Sequence, residues 1–143
     1  MTRQRYGVDG NLLAVTLIQN HFGERATVAV AADVDTIDRL PFIVVDAALG
    51  RKVGDSSVAM AWQWSVNTEI LAGSIDECGD ISDELHEFLE GLNGWDGRGI
   101  IPGIGAITGV EVTSIPTKTA SSELPAGNIT QFHGSFDMLT QKA

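Results

Sequence analysis

The sequence predicts a single α+β domain in which a mostly antiparallel, mixed sheet of about four to five strands packs against two helices. Three stretches predict it. Phe42-Ile43-Val44-Val45, directly after Leu40-Pro41, is a short apolar, β-branched run without helical spacing. That composition suits a strand covered on both faces, near the middle of a sheet. Val58, Met60, Trp62, Trp64 and Val66 then fall on alternate positions, with Ala59, Ala61, Gln63, Ser65 and Asn67 between them. This period of two marks a half-buried strand through Thr68. Finally, Cys78, Ile81, Leu85, Phe88, Leu89 and Leu92 follow the three-and-four spacing of one buried helical stripe over Ile75 to Leu92.

The totals agree with one domain. The chain has 143 residues, 43% of them hydrophobic and 20% charged, enough to bury a core without cross-links. Its formal net charge is −10, from 9 Lys+Arg against 19 Asp+Glu. The cations cluster only at Arg3/Arg5 and Arg51-Lys52, which argues against wrapping nucleic acid. A single cysteine, Cys78, excludes an internal disulfide and any multi-cysteine metal site. No apolar run approaches the roughly 18–20 residues of a membrane span. Arg3/Arg5, Leu12 to Ile18 and Ala29-Val30-Ala31 mimic the parts of a signal peptide, but the polar run Gln19 to Arg25 divides them, so a helix is expected.

In order, Asn11 or Asp9 can cap a first helix through about Phe22 that buries Leu13 and Leu17, with Gly23 as its stop. Thr27 to Ala32 reads as a strand and Asp33 to Arg39 as an acidic connector. Gly50 to Ser57 (GRKVGDSS) has the composition of an exposed turn joining the two central strands. Glu69 to Ser74 is expected to be a bridge, with Ser74 capping the second helix. Gly91 to Gly109 holds seven of the 16 glycines and is expected to be loop and turn for much of its length. Gly109 to Ile115 reads as a strand with Val110 and Val112 inward, and Pro116 to Asn128 as a long polar loop. Ile129 to Thr140 closes the chain as a strand, with Phe132, Phe136 and Met138 on one face and His133 and Asp137 on the other.

The catalytic inventory is poor, and no catalytic residue, cofactor or metal is assigned. His21, His86 and His133 each lack a second ligand at metal spacing, and His86 reads as an exposed helix residue. Asp33, Asp35 and Asp38 fail as a calcium loop because Ile37 occupies the third alternate position. Gly103, Gly105 and Gly109 are spaced too widely for a dinucleotide fingerprint. Cys78 belongs to the buried stripe, and Ser56-Ser57 and Ser121-Ser122 lack the strand-turn-helix setting of a hydrolase nucleophile. Asp76, Glu77, Asp80, Asp83, Glu84 and Glu87 make the second helix acidic on its outer faces. A solvated face is the simplest reading, and a face turned to a channel or a basic partner is the other.

The order of these elements resembles the tail terminator proteins of long, non-contractile-tailed phages, those of actinobacteriophages above all. The resemblance is carried by Asp38-Arg39-Leu40-Pro41-Phe42-Ile43-Val44-Val45, an acidic connector running into a Leu-Pro-valine-rich strand. Gly54-Asp55 before the alternating strand, the helix Ile75 to Leu92 and the late strand Gly109 to Val112 add to it. It spans most of the chain from Ala26 to Thr140, as arrangement and pattern without an invariant motif.

The resemblance implies a non-enzymatic virion protein, assembled in the host cytoplasm, that closes into a homohexameric ring on the finished tail tube. The ring ends tail polymerisation and joins the tube protein to the neck, or head-tail connector, protein. DNA passes nearby without sequence-specific binding, and no membrane is involved. A closed ring uses heterologous contacts, so each subunit needs two different patches. Candidate contacts between subunits or rings are Arg51, Lys52, Asp55, Trp62, Trp64, Lys118 and Glu123. For the two tryptophans, core is the preferred reading over interface. Another neck-completion subunit, or a small α/β ligand-binding domain or enzyme, are the alternatives.

Overall fold

The computed structural model describes residues 8–31, 36–53, 61–92, 98–118 and 129–141, with backbone alone at 36, 37 and 51–53. Helix α1 spans Gly10–Phe22, and a 3-10 turn, Gly23–Arg25, leads into strand β1, Thr27–Ala29. A second 3-10 turn, Thr36–Arg39, precedes β2 (Phe42–Val53), followed by β3 (Ala61–Ala72) and helix α2 (Ile75–Gly91). Strands β4 (Ile100–Ile101), β5 (Gly105–Lys118) and β6 (Thr130–Gln141) complete the described chain. The sheet has the order β1-β2-β3-β6-β5-β4. Only β1 and β2 pair in parallel; every other neighbouring pair is antiparallel.

The class is therefore the α+β one expected, with six strands in place of four to five. The additional strand is β4, inside the stretch expected to be loop. Its glycines serve close approach as well as turning. A Cβ on Gly99 would lie 2.6 Å from the Ile107 carbonyl oxygen, and one on Gly105 would lie 3.0 Å from Val8. Of that stretch, residues 93–97 lie outside the described residues, and Gly103 makes a true turn at φ +84°.

Both helices cover the same face of the sheet. Ile43, Val45, Ala47, Trp64, Val66, Ile70, Phe136, Met138, Val110 and Ile107 from the strands join Leu13, Leu17, Ile18, Cys78, Leu85 and Leu89 from the helices in one core. Cross-strand register builds this core in rows, with Trp64 opposite Met138, Val66 opposite Phe136 and Ile70 opposite Phe132. The polar groups it buries are bonded: the Thr68 hydroxyl donates to the Gly134 carbonyl at 3.2 Å, and the Ser82 hydroxyl to the Cys78 carbonyl at 2.8 Å. Unsatisfied, each would cost about 1–3 kcal/mol.

The helix ends follow the sequence. Asp9 caps α1 by accepting from the Leu12 N–H at 3.1 Å, and Gly23, at φ 62°, stops it. Ser74 caps α2 by accepting from the Glu77 N–H at 3.2 Å, while the Glu77 carboxylate accepts from the Gly73 N–H at 3.3 Å. β3 does not stop at Thr68 but continues through Ala72, so Glu69 to Ala72 is strand and not bridge. Alternation fails there because both faces are covered: Leu71 pairs with Phe42 on the face away from the helices, and both are buried. β1 is shorter than expected, while β2 and β5 are longer, with Pro116 to Lys118 belonging to β5. Gly50 to Val53, expected as the first half of an exposed turn, continues β2 as strand. The rest of that turn (54–57), the start of the expected alternating strand (58–60) and residues 119–128 of the expected polar loop lie outside the described residues. No helix among the described residues is long and apolar enough to cross a membrane.

Candidate functional site

With both helices on one face, the other face of the sheet is largely uncovered. Alternation places Asp46, Ser65, Asn67, Glu69, Glu111 and Asp137 on it, all exposed or half-exposed. The end near β1 differs, for there Arg39 lies over the Phe42 ring with its guanidinium carbon 5.2 Å from the centroid. At the far end, β6 and β5 set Asp137 and Glu111 directly opposite each other. Like charges in that position repel across a strand pair. Asp137 is supported by the Ser65 hydroxyl at 3.2 Å and the Gln63 amide at 3.4 Å, both on β3. Gln63, Gly109, Glu111, Asp137 and Leu139 line an open cleft of about 400 Å³ there. Two carboxylates, an amide and a hydroxyl form a hydrogen-bond-accepting surface suited to cationic groups.

The residues singled out from sequence scatter around this surface. Arg51 and Lys52 lie near the end of β2, in register with Gln63 and Trp62. Lys118 is exposed at the end of β5. Asp55 and Glu123 lie outside the described residues. Trp64 is 7% exposed and donates its indole N–H to the Thr140 hydroxyl at 2.9 Å, so it belongs to the core and not to a contact surface. Trp62 is half-buried, packed against the same core from its margin.

The acids of α2 differ in their surroundings. Glu77 caps the helix, and Asp76 with Glu77 complements the positive end of its dipole. Asp80, Asp83 and Glu87 are exposed. Glu84 instead closes a clasp to α1: both its oxygens accept from Arg25, at 2.8 and 2.6 Å, and His21 Nε2 lies 2.8 Å from one of them. His21 also stacks on Phe88, with centroids 4.3 Å apart. Hydrogen bonds from Arg25 hold the Glu84 carboxyl below the usual carboxylate range. A depressed carboxyl stabilises the fold above its unfolded pKa and ceases to do so as pH falls through the folded value. Arg25→Gln is thus expected to lower the urea midpoint slightly at pH 6. That difference should vanish as the pH approaches 3; a constant difference across the range would refute the clasp.

One titratable group departs from its expected setting and another keeps to it. His86 is not an exposed side chain: its ring is 26% exposed, Nε2 pairs with Glu90 and Nδ1 is buried without a partner. The Cys78 thiol is fully buried, as the stripe predicts, and donates to the Ile70 carbonyl at 3.2 Å. Burial pushes its pKa up to about 11. It should therefore resist a disulfide-exchange reagent at pH 8 in the native protein and react fully in guanidinium. Rapid native labelling would contradict that burial. Among the described residues, no three His, Cys, Asp or Glu side chains group as a metal site.

The Glu111–Asp137 pairing is what sequence reasoning missed. Each residue's face is legible, since Glu111 alternates with Val110 and Val112, and Asp137 with Phe136 and Met138. Their juxtaposition depends on register shifts on both sides of Glu111, between Ile107 and Gly109 and between Val112 and Ser114.

No protein-family model matches the chain, and no curated protein sequence matches it. Among solved structures, a chain in the virion of a native gene transfer agent particle is similar in fold, with a TM-score of 0.56 at 13% identity. The match covers 95% of this chain and 98% of that one.

Proposed function

We propose that this protein is a structural component of a phage-like virion, a tail terminator whose copies close into a six-membered ring on the tail tube. In this role it ends tube growth and presents the opposite side of the ring to the neck. The observation that supports the reading most is the end-to-end fold likeness to a chain of a virion particle, covering nearly all of both chains. The order of elements that resembles the terminator family points the same way. So does the character of the uncovered sheet face, polar and acidic, which suits contact with other proteins more than turnover of a small molecule.

A net charge of −10 per copy has a consequence for DNA moving through such a ring. Acids turned to the channel would repel the phosphates and let the duplex slide without sequence-specific binding.

Negative-stain imaging of purified tail tubes with and without the protein, alongside its mass in solution, tests the reading. Rings at one tube end, with tube growth halted, are the expected result. Binding to isolated neck or portal but not to tubes would make it a neck-completion subunit instead. A monomer that ignores both, and whose melting temperature rises with small molecules, would replace the assembly role with ligand binding in the cleft.

A further inference from the structure

We propose that His86 is a pH-sensitive wedge between α2 and β5, seated while its ring is neutral and displaced outward when the ring takes up a proton. This does not depend on the assembly role proposed above. It starts from the two unlike sides of the ring. On the outer side Nε2 pairs with the carboxylate of Glu90, one helical turn on, whose side chain is 60% exposed. A carboxylate only accepts, so Nε2 carries the proton and Nδ1 of the neutral ring is a bare acceptor. That Nδ1 is buried and has no hydrogen-bond partner. On the inner side the ring borders a void of about 10 Å³ between α2 and the sheet.

The side chains around the void explain why nothing answers Nδ1. Leu85 and Leu89 flank the ring on α2, and β3, β5 and β6 bring Thr68, Val112, Ser114, Pro116, Ser135 and Phe136. None of these is titratable, which leaves Glu90 as the charged partner, with Asp83 and Glu87 exposed beside it on the helix. The hydroxyls are engaged elsewhere: Thr68 donates to the Gly134 carbonyl at 3.2 Å, Ser135 bonds Thr113 at 2.8 Å, and Ser114 is an exposed residue. β5 is irregular here, with register shifts on both sides of Ser114, and Pro116 has no N–H to give. A water needs roughly 10–15 Å³ and about two to four polar partners, so the void is at the lower limit of size and short of partners.

In the neutral ring the bare acceptor is a modest cost. A proton on Nδ1 makes it a charged donor against apolar side chains, and burying an unpaired charge costs far more. Attraction to Glu90 recovers little, because that carboxylate is exposed and screened. Turning the ring outward hydrates Nδ1–H. Proton uptake is therefore easier with the ring displaced than seated, so the displaced population grows as pH falls and shrinks as it rises. Unperturbed histidine changes charge between about pH 5 and 8, which sets the window. The clasp to α1 does not weaken over that window. Arg25 holds the Glu84 carboxyl below the usual carboxylate range, and a proton on His21 adds a second positive charge beside it.

Amide exchange in the full chain at about pH 7.5 and 5.5, corrected for the intrinsic pH dependence of exchange, tests this. Amides from Leu89 to Leu92 should exchange about fivefold faster at the lower pH, while those of α1 stay within about twofold. Nitrogen shifts of the His86 ring should show the Nε2–H tautomer with an unbonded Nδ1 at the higher pH. His86→Leu sets an apolar side chain against the same void and should abolish the acceleration. His86→Gln, neutral throughout, should abolish it too and covers the case of a leucine variant that fails to fold. His21→Gln should keep it.

Exchange that is unchanged or slower at the lower pH would overturn the proposal; slower exchange would mean that Glu90 holds the protonated ring in its seat. An Nδ1–H tautomer, or an Nδ1 shift typical of a bonded acceptor, would overturn it as well. So would an acceleration that survives both His86 substitutions. Loss of the acceleration in His21→Gln would move the pH response to the clasp and remove it from His86.

Discussion

Trp64→Ala should lower the unfolding free energy by about 3–5 kcal/mol, the range for truncating a buried aromatic side chain. Trp64 faces α1 from the first half of β3, opposite Met138 on one side and Leu49 on the other. Its indole N–H is bonded to the buried Thr140 hydroxyl, so the truncation leaves both a cavity and a hydroxyl without that donor. The fit is tight from the helix side as well. A Cβ on Gly10 would lie 2.5 Å from the ring, so Gly10→Ala should itself cost about 1–3 kcal/mol through overpacking. The two positions touch, and their effects should not add: the double variant should be more stable than the sum predicts, as the new methyl enters the space the indole vacates. Urea unfolding of the four proteins measures this. A Trp64→Ala loss below about 1 kcal/mol would place the indole outside the core and return it to the contact candidates.

This pair also marks what could be read from sequence. The alternation around Trp62 and Trp64 gave the strand and the shared face, because a period of two is a local property of the chain. It did not say which tryptophan the helix would cover; that is settled by Gly10, fifty-four positions earlier, whose missing side chain admits the ring. α2 was legible almost to the residue, since Ser74 supplies the cap and one stripe supplies the buried face. The end of β3 was not, because Leu71 meets Phe42 on the second face and erases the alternation. The glycine-rich stretch misled for a related reason: glycine signals a turn in sequence, but Gly99 and Gly105 are needed for close approach within and beside strands. The acid pair on the open face escaped because register, set by shifts in β5, is not a local property.

Asn11 carries the second large effect, through edges that the sheet would otherwise leave open. Among the described residues, β1 pairs with β2 only at Phe42, Ile43 and Val44, so β2 runs on past its neighbour with a side that no described strand pairs. The Asn11 amide fills that place: Nδ2–H donates to the Ala47 carbonyl at 3.1 Å, and Oδ1 accepts from the Ala47 N–H at 2.8 Å. Gln19, two helical turns on, does the same for β1 by accepting from the Val28 N–H at 3.0 Å and donating to the Ala26 carbonyl at 2.9 Å. From sequence, Asn11 and Asp9 were equal candidates for the cap of α1. Asp9 takes that role, which frees the Asn11 amide to act as a substitute strand. Asn11→Ala therefore leaves a donor and an acceptor of β2 without protein partners, at about 1–3 kcal/mol for each group that water does not reach. Asn11→Asp discriminates further, since a carboxylate still accepts from the Ala47 N–H but is repelled by its carbonyl. The expected order of stability is wild type, then Asn11→Asp, then Asn11→Ala, read from urea midpoints at pH 7. Amide exchange at Ala47 should accelerate most in the alanine variant. Because an exposed edge also templates pairing with other chains, that variant should aggregate at lower temperature than a Trp64→Phe variant made for comparison, whose edge is intact. Equal stability of Asn11→Ala and the wild type would show that water satisfies this edge and that the amide is dispensable.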